Sequence, residues 1–386
     1  MRMRWQAAAC LALGGVLVLF LAEAGFVRAA AAEALSLCAG SVIPALFPFL
    51  VVSSLLLSLG LGELLSPMLA GLMEPLFRVD GVGSSALLLG LVGGYPIGAK
   101  TAADLYRGGR LSRPEAERLL AFCNNCGPAF ILGVVGAGIF GSGRVGLVLY
   151  LGHLTASLLV GLLFRFYRPG ERPRRGGSGR VQFQTASVPA AFTKSVTGAL
   201  QSTLNICAFI LFFTVAIRML TLSGLLTALA RVLSALLSPL GLSQIWAERL
   251  LTGLLEMSSG VSSLTTGSFT GRLSMAAFML GWAGVSVHCQ VMAFLGDSGL
   301  SLRTYLVGKS LHGVFSALLI AALSRLLPME ISASAYLAEQ TQAIASLDFH
   351  QALTISAAAA WVVWLLFLLL SAWVVKKNHR KHIGAF

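Results

Sequence analysis

The stretch LVGGYPIGAK, Leu91–Lys100, interrupts an apolar run in a way that decides the fold. It continues an uncharged segment that begins at Gly81, yet it holds three glycines and a proline and ends in a lysine. A lipid-facing helix gains nothing from this cluster, because glycine weakens a helix and proline removes an amide donor and stops it. At membrane depth, backbone leaves the helical form only where it is buried in protein or lines a water-filled cavity. The stretch therefore predicts a broken segment inside a membrane protein.

The composition indicates a membrane protein. Of the 386 residues, 56% are hydrophobic and only 11% are charged, whereas soluble domains carry about 25% charged residues. The net charge of +13 comes from Lys and Arg that cluster between hydrophobic segments and near the chain end. That pattern is typical of cytoplasmic loops in membrane proteins rather than of a nucleic-acid surface. We therefore predict an all-α polytopic membrane protein whose partner is the lipid bilayer, with no nucleic-acid partner.

Eight stretches are long and apolar enough to cross a bilayer, which takes about 20 residues. They are Trp5–Ala22, Ala34–Gly62, Leu119–Gly143, Val145–Phe164, Ser195–Ile217, Leu273–Gly296, Tyr305–Ser324 and Gln351–Val375. The first follows a positive N-terminus, as a signal peptide does, but its length and the membrane segment after it indicate an uncleaved helix. Two further stretches, Gly81–Ala99 and Leu250–Gly271, are crowded with small and polar residues and are predicted to be broken. Glu63–Val79 and Thr221–Leu240 are shorter, contain proline and are predicted to be interfacial.

The distribution of charge predicts the orientation. Arg168–Arg180 and Lys376–Lys381 are strongly basic, and Lys100–Arg118 holds five positive residues, so these segments and the Met1 end should be cytoplasmic. Pro328–His350 carries three acidic residues and no Lys or Arg, which suits the outside. All these placements agree if eight segments cross and the two broken stretches enter the membrane and return.

The two halves of the chain resemble each other. LLLGLVGG (Leu87–Gly94) aligns with LLTGLLEM (Leu250–Met257), and GRLS occurs at nearly the same offset after each (Gly109–Ser112 and Gly271–Ser274). With eight crossings the first repeat starts outside and the second starts inside, so the repeats are inverted, as in many secondary transporters. The predicted organisation is an N-terminal helix (1–33), a first repeat (34–167), a basic cytoplasmic linker (168–194), a second repeat (195–327), an extracytoplasmic loop (328–350) and a C-terminal helix with a basic tail (351–386).

Broken segments at matching positions of inverted repeats are the best sequence indication of a substrate site. In the first half the candidate residues are Gly93, Gly94, Tyr95, Pro96, Gly98 and Lys100, with Asn124, Asn125, Gly127 and Pro128 from FCNNCGP (Phe122–Pro128). In the second half they are Glu256, Ser258, Ser259, His288 and Gln290. Unpaired amides cost several kcal/mol in an apolar medium. An ionisable group at membrane depth is a functional candidate by default.

Each feature also has a structural interpretation. Small residues allow tight helix packing, and amides bond between helices. Glu256 has the alternative of being the buried partner of Lys100 or Lys309. Cys123 and Cys126 form a CxxC, for which a thiol–disulfide role is the alternative to packing. A zinc site would need a second ligand pair that the sequence lacks, so we predict no metal, no cofactor and no catalytic residue.

The segment Gly93–Gly136 resembles the YlbJ family of sporulation integral membrane proteins, within the nucleoside-recognition or Gate-domain group. The Gly-Tyr-Pro…Gly-Ala-Lys and Phe-Cys-Asn-Asn…Gly-Pro motifs carry the likeness, and length and layout extend it over nearly the whole chain. The resemblance implies two inverted Gate-type repeats with re-entrant segments, a place in the cell membrane of endospore-forming bacteria, and a role in spore cortex formation. It carries over no substrate-binding residue, and nothing in the sequence selects a base or a ribose.

Three classes of function compete. Inverted repeats with paired breaks favour a secondary transporter or gated conduit for a small solute, with the need for a coupling ion open. A non-transporting scaffold of a sporulation assembly is the alternative. A membrane-embedded enzyme is the third class, but the chain has no Gly-rich phosphate loop, nucleophile elbow or zincin helix. A homo-oligomer and membrane partners of sporulation both stay open.

Overall fold

The computed structural model describes residues 2–59, 61–168 and 188–326, together with Thr354. Within these ranges all regular structure is helical. The predicted extracytoplasmic loop (328–350) lies outside the described residues, as do most of the linker (168–194) and nearly all of the C-terminal helix and tail (351–386).

The first eight helices cover the N-terminal segment and the first repeat. They are α1 (Arg2–Ala22), α2 (Ala24–Leu37), α3 (Ile43–Ser58), α4 (Leu61–Phe77), α5 (Ser84–Gly93), α6 (Ile97–Arg107), α7 (Arg113–Leu120) and α8 (Gly143–Phe164). A π-helical turn, Cys38–Val42, joins α2 to α3, and a longer π-helix covers Ala129–Ile139. A 3₁₀ turn at Gly81–Gly83 leads into α5, capped by the Asp80 carboxylate.

The second repeat uses a similar order of helices. They are α9 (Val188–Leu222), α10 (Leu225–Leu236), α11 (Gln244–Leu255), α12 (Met257–Ser262), α13 (Phe269–Trp282), α14 (Gly284–Leu295) and α15 (Leu302–Leu326). Short 3₁₀ turns follow α10 at Ser238–Leu240 and α14 at Gly296–Ser298.

Five of the predicted crossings correspond to helices, or near-continuous helix pairs, that are long and apolar enough to span a bilayer. These are Ala24–Leu56, Gly143–Phe164, Val188–Leu222, Phe269–Leu295 and Leu302–Leu326. A bent pair, Leu69–Phe77 with Gly81–Gly93, turns by 113°. By length and composition it would be a sixth span if it crosses as one unit, although neither segment is among the predicted crossings. The first predicted crossing is helical, and it includes the apolar helical segment Leu13–Ala22. The eighth lies outside the described residues.

The predicted crossing Leu119–Gly143 is interrupted, as Gly127 and Pro128 within it indicated. Helix α7 ends at Leu120, residues 121–127 are non-helical, and helical structure resumes at Pro128, directly before the π-helix at Ala129–Ile139. Proline lacks an amide donor, so it is tolerated in the first turn of a helix but not further along. The predicted crossing Leu273–Gly296 is also broken, at Ala283 and Gly284, whose φ angles are 79° and 84°. Left-handed backbone at two successive residues cannot continue a right-handed helix.

Each repeat contains a short helical hairpin, as the broken segments predicted. Helices α5 and α6 approach so closely that a carbon added at Gly98 would lie 3.0 Å from the Cα of Gly90. Helices α11 and α12 do the same, because a side chain on Gly260 would collide with the backbone of Gly253. Glycine permits these backbone contacts since it has no Cβ. Small residues therefore let the two helices of each hairpin pack closely against each other.

The long helices α8 and α15 occupy corresponding places in the two repeats and run antiparallel. Glu117 of α7 joins their opposite ends, since its carboxylate accepts hydrogen bonds from the Tyr167 hydroxyl, just after α8, and from the Ser301 amide, just before α15. Gly152, midway along α8, packs against Ile320 near the end of α15. Equivalent helices that point in opposite directions are what inverted repeats require.

Two hydrophobic cores each draw on both repeats. The first combines α5, α6 and α7 with α14, through buried residues such as Leu87, Leu119 and Val291. The second combines α12 and α13 with the π-helix of the first repeat, through residues such as Met279 and Val134. In the first core, the first hairpin and α7, which precedes the break of the first repeat, pack against α14, which follows the break of the second repeat. In the second core, α12 of the second hairpin and α13, which precedes the break of the second repeat, pack against the π-helix, which follows the break of the first repeat.

Candidate functional site

A cavity lies where the tips of the two hairpins meet. Helices α3 and α9 close it with apolar side chains, and α14 adds polar ones. Its lining consists of Leu46, Phe49, Leu50, Val92, Gly93, Gly94, Tyr95, Cys126, Gly127, Ala129, Phe130, Ile206, Phe209, Ile210, Glu256, Met257, Ser258, Ser286, Val287 and Gln290. The cavity is therefore largely apolar, with a few polar groups concentrated at the tip of the second hairpin and on α14.

The tip of each hairpin packs against the break in the neighbouring helix of its own repeat. Gly94 has a φ of 75°, and a carbon added to it would lie 2.9 Å from the Gly127 nitrogen. In the second repeat a carbon added to Gly284 would lie 3.0 Å from the Met257 nitrogen. Only glycine combines a left-handed conformation with such a close approach at low cost. The two breaks and the two tips consequently form one contiguous unwound region.

Glu256 forms the tip of the second hairpin, and the residue is 2% exposed. One carboxylate oxygen accepts the Ser258 amide at 3.0 Å and the other accepts the Ser259 amide at 2.6 Å, so the side chain caps α12. The Ser259 hydroxyl is also 2.9 Å from the hydroxyl of Thr214 on α9. Each carboxylate oxygen has a second lone pair free of these amides. The cavity thus presents a carboxyl group that is held in a fixed position.

The free carbonyls at the breaks are satisfied by side chains from elsewhere. Helix ends leave carbonyls without intrahelical partners. The carbonyl of Phe122 accepts from the Ser157 hydroxyl at 2.7 Å and from the side-chain amide of Asn125 at 2.9 Å. The carbonyl of Leu254 accepts from the Trp282 indole at 3.1 Å. These contacts hold the non-helical backbone in a defined shape.

The structure brings seven of the fifteen predicted site residues to the cavity wall. They are Gly93, Gly94, Tyr95, Gly127, Glu256, Ser258 and Gln290. The others lie close by or face elsewhere: Pro96, Gly98, Lys100, Asn124, Asn125, Pro128, Ser259 and His288. Lys100 is exposed, with its ammonium 5.6 Å from the ring centre of Phe294. The binding role of every one of these residues stays a prediction.

Among the described residues, Glu256 does not pair with Lys100 or Lys309, the two lysines that the sequence offered as its buried partner. The carboxylate is held by backbone amides, whereas Lys309 donates to the carbonyl of Asn124 and to His312. Cys123 and Cys126 are free, buried thiols. Among the described residues, no group of three or more His, Cys, Asp or Glu side chains is placed to hold a metal ion.

Sequence analysis missed the outer wall of the cavity and a buried polar cluster behind it. Leu46, Phe49 and Leu50 of α3 follow helical spacing, which is the signal that one face of that helix meets protein rather than lipid. The sequence alone could not show which face of α3 meets protein, because the other faces of this helix are apolar as well. The buried polar cluster consists of Lys309, His312 and Tyr305 of α15, His153 of α8, His288 of α14 and Asn124 of the first break. Its members come from four separate segments, and no sequence spacing connects them.

Comparisons with known proteins agree with this architecture. The Gate family, described as nucleoside recognition, matches residues 39–143. The fold is similar to that of the concentrative nucleoside transporter CNTnw. A variant of CNTnw in its intermediate 3 state has a TM-score of 0.55 at 17% identity, covering 86% of this chain and 87% of that one. CNTnw in an inward-facing substrate-bound state has a TM-score of 0.54 at 17% identity, covering 83% and 84%. At this identity the likeness establishes the fold alone.

A curated relative adds the family. The sporulation integral membrane protein YlbJ of Bacillus subtilis (strain 168) is 31% identical over 300 residues, which cover 73% of this chain and 74% of the relative. The two proteins therefore share most of their length. This multi-pass membrane protein, with its transporter-like fold, belongs to the YlbJ family of sporulation integral membrane proteins.

Proposed function

We propose that the chain is a secondary transporter or gated conduit for a small solute, and that it acts in spore cortex assembly. One observation carries the proposal: the tips of both hairpins meet at a single cavity that contains the Glu256 carboxylate. Helix ends and unwound backbone at the interface of inverted repeats are where secondary transporters bind solutes.

The fold supports a cycle of opening and closing. CNTnw has been solved in inward-facing and outward-facing states, with TM-scores of 0.54 and 0.52 to this chain. We infer that this chain rearranges in the same general way, exposing the cavity to each side in turn. The topology that fits has both termini and the 168–194 linker in the cytoplasm and residues 328–350 outside. The end of α8 and the start of α15 lie close together, because Glu117 bonds to both. This agrees with the topology, which places both of these helix ends on the cytoplasmic side.

The lining suggests the class of solute. Phe49, Tyr95, Phe130 and Phe209 offer aromatic and apolar surface, which suits a flat or apolar part of a small molecule. The carboxylate of Glu256 accepts hydrogen bonds, and Ser258, Ser286 and Gln290 supply hydroxyls and an amide. We therefore propose a neutral or cationic solute with an apolar face and at least one hydroxyl or amino donor.

Uptake into proteoliposomes tests the proposal. Vesicles with the wild-type protein receive a defined mixture of ribonucleosides, amino acids and sugars, with and without a proton gradient, and mass spectrometry measures what accumulates. We expect accumulation of one or more solutes above the level in protein-free vesicles. Wild-type vesicles that match protein-free ones under both conditions would contradict transport and favour the scaffold.

The variant Glu256→Gln tests the cavity. Glutamine keeps the size of the side chain and one acceptor, but it removes the charge and leaves one amide unpaired, at a cost of about 1–3 kcal/mol. We expect the variant to reach the membrane and to accumulate no solute. Glu248→Gln is the matched control, because Glu248 lies in the same hairpin with a partner, Gln244, outside the cavity. Equal uptake by both variants would remove the cavity from the proposal.

The cortex role has its own test. A strain of the host bacterium that produces only the Glu256→Gln protein should form spores with a defective cortex, whereas a strain with Glu248→Gln should form normal ones. Electron microscopy of spore sections and the heat resistance of the spores measure this. Normal cortex with the first variant would separate the cavity from sporulation.

A further inference from the structure

Lys309 of α15 is buried in the protein, with 1% of its surface exposed. Its ammonium donates a hydrogen bond to the backbone carbonyl of Asn124 at 2.9 Å, inside the break of the first repeat. It also lies 3.3 Å from Nδ1 of His312, one turn further along α15. The ring centre of Tyr95, at the tip of the first hairpin, is 5.5 Å from the ammonium. One lysine thus connects the second repeat to both the break and the hairpin tip of the first.

The neighbouring histidines have tautomers that the hydrogen bonds fix. Nε2 of His312 lies 3.0 Å from the carbonyl of His153, so it must carry the proton and donate. Nδ1 of His312 is then the bare nitrogen that accepts from the ammonium. Nε2 of His153 accepts the backbone amide of Cys126 at 3.1 Å, so this nitrogen is bare as well. A histidine with a bare nitrogen is neutral.

A third histidine, His288, lies with its Nδ1 3.0 Å from the Tyr305 hydroxyl, which also accepts from the side-chain amide of Asn124 at 3.2 Å. The His288 side chain is buried, and burial disfavours the charged form of an imidazole. The buried cluster of three histidines, one tyrosine and one asparagine consequently contains one group that carries charge in this arrangement, the ammonium of Lys309.

No carboxylate in the described residues contacts this ammonium. Glu256 is held by the amides of its own helix cap, and Glu117 binds Arg113, Tyr167 and the Ser301 amide. The titratable groups that face Lys309 from the surrounding elements are Tyr95, Cys123, Cys126, His153, His288, Tyr305 and His312. In α13, Arg272 instead donates to the carbonyl of Leu264. The cluster therefore supplies dipoles and no counter-charge.

A buried ammonium without a counter-charge is held by few interactions, and burial disfavours the charged form of a lysine. Here those interactions are the Asn124 carbonyl and the bare nitrogen of His312. Only the Asn124 contact depends on α15 staying against the break, because His312 lies on α15 and moves with Lys309. A rearrangement that separates α15 from the break removes the carbonyl acceptor and changes the burial of the amine, and both changes alter its affinity for a proton. Proton occupancy and the arrangement of the break are consequently linked.

We propose that Lys309 is the proton-binding group of the transport cycle. Nζ takes up a proton from water on one side of the membrane and gives it to water on the other, as the contact between α15 and the break forms and is lost and the burial of the amine changes. This inference rests on the proposed function. It assigns the coupling ion as a proton, bound by one lysine at the junction of the two repeats.

A solute-free measurement tests the proton site. The reporter is Ser286→Cys in the cavity wall, in a chain whose six native cysteines are alanine, and a neutral water-soluble maleimide measures its accessibility across pH. The same reporter is placed in Lys309→Arg, which stays charged, and in Lys309→Met, which is never charged. Dividing the rates at each pH removes the titration of the reporter thiol itself. We expect the lysine protein to match the arginine variant at acidic pH and to move to the methionine value at alkaline pH.

A ratio to Lys309→Arg that does not change with pH would overturn the proposal, because Lys309 would then be a permanent structural cation. If neither variant folds, His312→Gln serves instead. Glutamine keeps a donor for the carbonyl of His153 and removes the Nδ1 acceptor, so it should shift the pH profile of the lysine protein toward acidic pH. An unshifted profile would equally overturn the proposal.

Uptake separates this inference from the proposed function. With a solute that the wild-type vesicles accumulate from the defined mixture, Lys309→Met should still exchange labelled for unlabelled solute but lose accumulation driven by a proton gradient. Unchanged gradient-driven accumulation in that variant would overturn the lysine assignment and leave transport intact. Wild-type vesicles that accumulate nothing would instead overturn the transport function, while the reporter measurement would still decide whether Lys309 binds and releases a proton.

Discussion

The hydroxyl of Tyr95 donates a hydrogen bond to the backbone carbonyl of Leu280, 2.7 Å away. This contact joins the tip of the first hairpin to the last turn of α13, whose carbonyls lose their helical partners at the break. The same hydroxyl lies 3.5 Å from the sulfur of Met257 at the tip of the second hairpin. The two repeats are thus fastened to each other beside the cavity.

Removing that hydroxyl should loosen the contact between repeats. Tyr95→Phe leaves the buried carbonyl of Leu280 unpaired, which costs about 1–3 kcal/mol. We expect a lower thermal unfolding temperature in lipid nanodiscs. Tyr106→Phe in α6 is the control, because none of the described hydrogen bonds involves that hydroxyl, and it should change little. Equal unfolding temperatures for both variants would contradict the importance of the contact.

The packing of α5 against the first break predicts a severe effect at Gly90. A side chain there would collide with the backbone carbonyl of Cys123, which cannot move like a flexible side chain. Gly90→Ala should destabilise the protein by about 1–3 kcal/mol or more, as overpacking does. Gly198→Ala on α9 meets nothing within 4 Å and should stabilise by up to about 1 kcal/mol through helix propensity. Thermal unfolding of the two variants measures the difference, and a harmless Gly90→Ala would show that this packing is wrong.

The CxxC should be dispensable if its thiols only pack. Cys123 belongs to the first core and Cys126 to the second, and both are at most 1% exposed. Replacing both with alanine removes one heavy atom from each core, at a cost of about 1 kcal/mol per site. We expect sporulation and cortex assembly to stay largely intact in the double variant. A complete loss of sporulation, matched by each single replacement, would restore the thiol–disulfide alternative.

The orientation is tested by labelling from each side of the membrane. A cysteine at position 178, introduced as Ser178→Cys in the cysteine-free chain, should react with an impermeant maleimide only after the membrane is opened. A cysteine at position 334, introduced as Ser334→Cys, should react from outside. Labelling of the first position in intact cells would contradict the cytoplasmic linker and with it the topology.

The sequence predicted both hairpins and one of the two broken helices, for a physical reason. Gly93, Gly94 and Pro96 are poor helix formers close together, so the first hairpin tip was visible in composition alone. Gly127 and Pro128 indicated the break in the first repeat in the same way, but not that it begins at Ala121. The break at Ala283 was not visible, because alanine is the best helix former and its φ of 79° is imposed by tertiary packing.

The site was predicted in the same uneven way. Glu256 and Gln290 stood out as polar residues at membrane depth, and both line the cavity. Lys309 was noted only as a candidate partner of Glu256, and its contact depends on a carbonyl that becomes free only because residues 121–127 are not helical. A sequence shows which side chains are polar; it does not show which backbone groups a break will leave without partners.

The way the two cores are shared has a consequence for biosynthesis. Because a chain is synthesised from its N-terminus, α5, α6 and α7 are in the membrane long before α14, which completes their core. The π-helix at Ala129–Ile139 is likewise synthesised before α12 and α13, with which it forms the second core. A nascent chain that ends before Met257 therefore lacks the α12, α13 and α14 residues of these cores. Neither core can be complete before the second half of the chain has been inserted.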